Sequence, residues 1–151
     1  MSARRAWAPA LALVLALVAG GCGGSGDMSA RQLRDGAGRA CAVAAQRLNA
    51  IPTPQVPSQG ASFLRRGIAA VRPELAALSS LHPDGDQSGH FRAARVAIER
   101  ELKVLQSSLK GVQAGNDPIV AVKTLQAQLA PLETQAKAAW QALGIAACAH
   151  T

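Results

Sequence analysis

Three cysteines carry most of the chemical potential of this 151-residue chain, and their surroundings divide them into one and two. Cys22 follows Ala19-Gly20-Gly21 and precedes Gly23-Gly24-Ser25-Gly26, so small residues flank it on both sides. Upstream lie Arg4 and Arg5, then an apolar run of about 14 residues from Ala6 to Ala19, too short to span a bilayer comfortably. A positive start, a short apolar stretch, small residues and a cysteine make the layout of a lipobox. There a peptidase cuts before a cysteine whose thiol has received diacylglycerol. Ala19 departs from the commonest pattern, in which Leu stands three residues before the cysteine. Residues 1–21 are expected to be a lipoprotein signal peptide, residues 22–28 a flexible tether lipidated at Cys22, and residues 29–151 a single folded domain. The expected location is the extracytoplasmic face of the cell membrane, held there by lipid.

Cys41 and Cys148 remain once Cys22 is lipidated. An even pair of thiols in an oxidising compartment forms a disulfide in the simplest case. Closing a loop of roughly 100 residues stabilises a fold by as much as ~4.7 kcal/mol in the chain-entropy picture. The same pairing argues against Cys148 acting as a thiolate beside His150.

A second constellation is His82-Pro83-Asp84-Gly85-Asp86-Gln87-Ser88-Gly89-His90. Its D-x-D-x-S-G core matches the opening of a calcium-binding EF-hand loop, where oxygens at alternate positions surround the ion. The match ends at Arg95, which occupies the position of the bidentate Glu and would repel a cation. His82 and His90 offer a transition-metal alternative with Asp84 and Asp86. The reading preferred here is a polar turn in which Asp86 or Ser88 caps the following helix, with no metal and no cofactor. Paired-carboxylate chemistry is not expected either, because Glu99 and Glu101 have no facing acid evident in sequence. The chain has no Glu-x-x-His pair for a bundle metal centre and no Gly-rich phosphate loop after a strand. No enzyme activity is expected from these residues.

After Cys22 the chain keeps 14 Lys and Arg against 9 acids. The excess suits an anionic lipid headgroup or wall polymer, or an envelope protein, but a solvated helical surface is the simpler account. Nucleic acid is excluded by location and by the few aromatic side chains, Phe63, Phe91 and Trp140, available to stack on bases.

The elements that must position these residues read as four helices. The first is expected from about Ser29 to Asn49, with Leu33, Ala37, Cys41, Ala44 and Leu48 on one stripe and its firm part starting near Ala37, because Gly36 and Gly38 weaken the first half. Ile51 to Gly60 holds three prolines and is a connector. The second, about Ala61 to Leu81, places Leu64, Ile68, Val71, Leu75 and Leu78 inward and carries Pro73, expected to kink it. The third, about Gln87 to Ala114, places Phe91, Ile98, Leu102, Leu105, Leu109 and Val112 inward. The fourth starts at an Asp117 cap and Pro118, carries Leu125, Leu129, Ala136 and Leu143 on its stripe, and stops at Gly144 with Ile145 folding back. Trp140 lies one step off that stripe and is expected at the edge of the core. The fold class is all-α: an antiparallel up-down-up-down four-helix bundle, in which Cys148 returns to the first half of helix one.

The stretches LVAGGCGGSGD, RACA, IPTP, LSSLHP and ALGIAACAH together resemble small helical lipoproteins of high-GC Gram-positive (actinobacterial) bacteria. The excess of 12 Arg over 4 Lys and the abundance of Ala suit GC-rich codons. The resemblance implies membrane anchoring, a helical domain and the cysteine pair, and no reaction. A noncatalytic binding or structural module of the cell envelope is therefore the leading expectation. The alternative is a binding protein for a small apolar or anionic ligand held between the helices near Pro73 and Pro131.

Overall fold

A computed structural model describes residues 28–149. Lipidation of Cys22, cleavage before it and the role of His150 lie outside these residues. Within them the chain is all-helical: α1 (Ala30–Asn49), a 3-10 turn (Pro57–Gln59), α2 (Gly60–Ser79), α3 (Asp86–Gln113), α4 (Pro118–Ala142) and a terminal 3-10 turn (Ala146–Cys148). Extended pairing is limited, among the described residues, to one isolated bridge between Met28 and Pro83.

Each helix starts and stops for identifiable reasons. Ser29 and Gln32 form a reciprocal capping box at the head of α1, each side chain meeting the other's backbone N–H. That cap closes the first turn, and α1 runs as helix from Ala30 through Gly36 and Gly38, as expected from about Ser29. Asp117 caps α4 through Oδ1, which accepts from the amides of Ile119 and Val120 at 2.7 and 3.3 Å. Pro118 supplies the first helical residue, where no donor is needed. The helix closes on Gly144 at φ 67°, with Gly144 N–H donating to Gln141 and Ile145 N–H to Trp140. This is a Schellman ending, and Ile145 folds back into the core. Pro73 and Pro131 sit on exposed faces, and both helices run through them.

The expected cap of α3 is corrected. Gly85, at φ 59°, occupies the cap position without a side-chain bond, Asp86 lies in the first turn, and Ser88 Oγ donates back to the Gly85 carbonyl at 2.8 Å. The chain must reverse sharply after Pro83, and only the residue that can adopt positive φ sits at the pivot.

The helices pack as a bundle with one slack side. α1 rests on α2, α2 on α3 and α3 extensively on α4, while α1 scarcely touches α4. The terminal turn fills part of that space by packing on α1. Its anchor is a disulfide between Cys41 and Cys148, whose Cα atoms are 5.1 Å apart across a separation of 107 residues. Ala37, whose carbonyl lies 3.5 Å from Cys148 Sγ, and the neighbouring Ile145 and Ala149 are all buried. At the far end of the bundle, α2 and α4 begin side by side: a Cβ on Gly60 would come within 2.7 Å of Pro118 Cβ, so only glycine permits that approach.

Candidate functional site

The slack side of the bundle opens into a cavity of about 260 Å³ between α2, α3 and α4, with the end of α1 and Cys148 at its margins. The helical period explains what lines it. On α2, Gly67, Val71 and Glu74 follow at four- and three-residue steps; on α3, Ile98, Glu101 and Leu105 do the same in reverse order. Leu125, Leu129, Ala136 and Trp140 contribute the wall from α4. Gly67 leaves room: a Cβ there would only touch Leu105 at 3.7 Å.

Trp140 is the largest fully buried side chain, with 1% of its surface exposed. Its indole meets Phe91 edge-on, with ring centres 6.0 Å apart at 69°. The edge position expected one step off the stripe is therefore corrected. α4 is covered by α3 and also faces the cavity, so its buried sector is wider than the stripe.

Two glutamates occupy stripe positions where leucines would be ordinary. Glu74 stands between Val71 and Leu78 and is only 7% exposed. Glu101 stands between Ile98 and Leu105 and is half-buried. Neither has a hydrogen bond or ion pair among the described residues, and no buried side-chain oxygen is sealed off without a partner. The Glu74 oxygens therefore keep some contact with open space, and Glu74 borders both this cavity and a cleft on the α1 side with Arg39 and Arg47. Burial pushes the Glu74 carboxyl up to about 7, and the nearby charge of Glu101 adds to the effect. Glu101 is raised to about 7 as well, by burial first and by Glu133 second.

Glu99, two residues away, shows the contrast. Lys103 donates to its carboxylate at 2.9 Å on the surface, and that hydrogen bond followed by the lysine charge holds it below the usual range. The expectation that Glu101 lacks a facing acid is thus overturned: α2 supplies Glu74 and α4 supplies Glu133. The available signal was a charged residue standing in register with the apolar stripe. Such a residue has to be buried, paired or functional.

Among the described residues Lys137 is the single basic one lining this cavity, at its exposed margin with Glu133. Of the four glutamates in a chain of net charge +7, three line this one space. A second depression, lined by Pro54, Val56, Pro57, Pro118 and Ile119, shares Phe63, Val122 and Gln126 with the first. Val56 and Ile119 are about half exposed there, at 49% and 52%. The groove thus continues from an acidic interior to an apolar rim at the end of the bundle. The space does not lie at Pro73 and Pro131, which border neither depression.

The His82–His90 segment is dispersed. His82 Nδ1 lies 3.0 Å from the Ser80 carbonyl oxygen, His90 is exposed on α3, and Pro83 is pinned to Met28. Among the described residues, no group of three or more His, Cys, Asp or Glu is arranged to hold a metal ion. Cys41 and Cys148 are brought together as expected, while Cys22 lies outside the described residues. No described helix is long and apolar enough to cross a membrane. No protein-family model, curated protein or solved structure matches the chain.

Proposed function

We propose that this chain is an extracytoplasmic lipoprotein of the actinobacterial kind, a noncatalytic binding protein that holds a small molecule with an apolar body between α2, α3 and α4. In this reading residues 1–21 are removed, Cys22 carries lipid, residues 22–28 act as a tether, and the rest forms an up-down-up-down bundle. The observation that carries the binding reading is the cavity itself. Its volume of about 260 Å³ lies just below the usual range of ligand sites, and its walls are mostly apolar. A bundle built only for structure has every reason to close such a space, because the lining atoms forfeit their packing partners. The disulfide supports an oxidising location.

Two measurements test the reading separately. Mass spectrometry of the membrane fraction should find Cys22 diacylated and residues 1–21 absent; an unmodified Cys22 would remove the anchor. For binding, a neutral apolar fluorophore such as N-phenyl-1-naphthylamine should brighten and perturb Trp140 emission, with Trp7 replaced by Phe. Ala136→Leu, which fills the space from a helical position, should abolish the response while leaving the far-UV spectrum intact. If the filled variant binds as well as the parent chain, the cavity is not a ligand site.

A further inference from the structure

The buried carboxylates give the proposed ligand a charge. An anion would meet three glutamates and a single lysine along the lining. A neutral apolar molecule would fill the space but leave the 7%-exposed Glu74 facing hydrocarbon without a partner. A bare metal ion lacks a ligand set among the described residues. An ammonium group brings both a compensating charge and up to three donors to carboxylates that have no hydrogen bond or ion pair among the described residues.

Resting on the binding reading above, we propose that the cavity is a receptor site for an organic monocation with a compact apolar body. Its ammonium group is received by Glu74 and Glu101, and its hydrocarbon lies against Val71, Leu125 and Trp140. Glu74 is the anchor, since it is nine-tenths buried, has no hydrogen bond or ion pair among the described residues, and lines the cavity together with Glu101. Trp140 adds an aromatic wall suited to the same charge. Glu133 at the margin draws the cation in, and Lys137 beside it repels dications and polyamines more than it repels a monocation. The shared walls at Phe63, Val122 and Gln126 let a longer hydrocarbon tail leave towards the rim lined by Val56 and Ile119.

Protonation gives the site a direction in pH. Glu74 faces Glu101 from α3, shares its cavity with Glu133 and Lys137 from α4, and borders a shallower cleft with Arg39 and Arg47 from α1. With both buried carboxyls raised to about 7, ionisation on the alkaline side creates the cation-binding state. A primary alkylamine keeps its own proton across that interval, as lysine does.

The test uses the full-length chain with Trp7→Phe in phosphatidylcholine nanodiscs, with empty discs as the blank, and Trp140 emission as the readout. The probes are 1-adamantylamine, 1-adamantanol and adamantane-1-carboxylate, which share one rigid body. At pH 8 the amine should bind about tenfold or more tighter than the alcohol, and the carboxylate should bind weakest. The preference for the amine should shrink severalfold at pH 5.5 and disappear in Glu74→Gln, with Glu101→Gln reducing it partly. Equal binding of amine and alcohol, unchanged in Glu74→Gln, would overturn the cation proposal while leaving an apolar site in place. Binding of none of the three, together with failure of the neutral fluorophore, would overturn both readings.

Discussion

The disulfide end of the bundle, where the terminal turn is tied to α1, and the acid-lined groove between α2, α3 and α4 obey opposite rules. Around Cys41 and Cys148 the residues are small or apolar, and Gly144 and Ile145 satisfy the carbonyls at the end of α4. The terminal turn packs directly on α1. In the groove, two stripe positions carry carboxyls without partners around a space that packing has not filled. One region lowers the free energy of the fold; the other raises it. Such a cost persists where a site needs a buried charge, and here it sits beside a region able to offset it.

The largest effect should come from the stabilising end. Reducing the disulfide, or replacing both cysteines with serine, reopens a loop closed across 107 residues and should cost about 2–5 kcal/mol, read as a fall in denaturation midpoint. A loss below about 1 kcal/mol would mean that the helices alone hold that end.

The next effect reverses sign. Glu74 ionises in the unfolded chain near 4.5 but in the folded one near 7. Between those values the native state binds more protons, so this group favours folding below its unfolded pKa, and the advantage is lost as pH rises through about 7. Thermal stability should therefore fall from pH 5 to pH 8. Glu74→Gln should flatten the fall and stabilise the protein at pH 8 by up to about 3 kcal/mol, with little change at pH 5. Were the variant less stable at pH 8, Glu74 would have a favourable partner and the contrast between the two regions would collapse.

The smallest effects distinguish glycines that the packing requires from those it does not. Gly38 has room, since a Cβ would sit 4.0 Å from that of Ala147, and Gly38→Ala should gain up to about 1 kcal/mol from helix propensity. Gly60→Ala drives a Cβ to 2.7 Å from Pro118 and should lose about 1–3 kcal/mol despite the same propensity gain. Paired urea titrations of the two variants give the comparison directly.

Much of the fold was legible because local signals agreed with the global one. Asp117-Pro118 opens α4, Gly144-Ile145 closes it, and the apolar stripes of α2 and α3 point where the core is. The cysteine pair, read from compartment and topology, is the disulfide observed. Other features depended on partners distant in sequence. Gly36 weakens a helix viewed alone, yet it lets Leu81 lie close, where a Cβ would be 3.0 Å from its methyl group. Ser29 and Gln32 form a capping box that was present in the sequence and outweighed by the glycines beside it. The slack between α1 and α4 follows from how far the terminal turn wedges between elements, which no single stripe records.

The candidate site was legible in a narrower sense. Glu74 and Glu101 were each visible as acids in register with leucines, but their meeting depended on how α2 and α3 settle against one another. Pattern reading treats a lone acid near an apolar stripe as a residue at the edge of the wet face. On α2 and α3 the register puts these carboxyls inside, and the cavity between the helices makes their position chemically significant.

The disulfide also decides what a protease can accomplish. Cys41 precedes the proline-rich connector and the α2–α3 and α3–α4 turns, while Cys148 follows all of them. A single cut at any of these exposed links leaves both pieces joined through sulfur. A nicked chain should migrate as one species without reductant and as two fragments with it, and whatever holds its first residues in place also keeps the severed half from diffusing away.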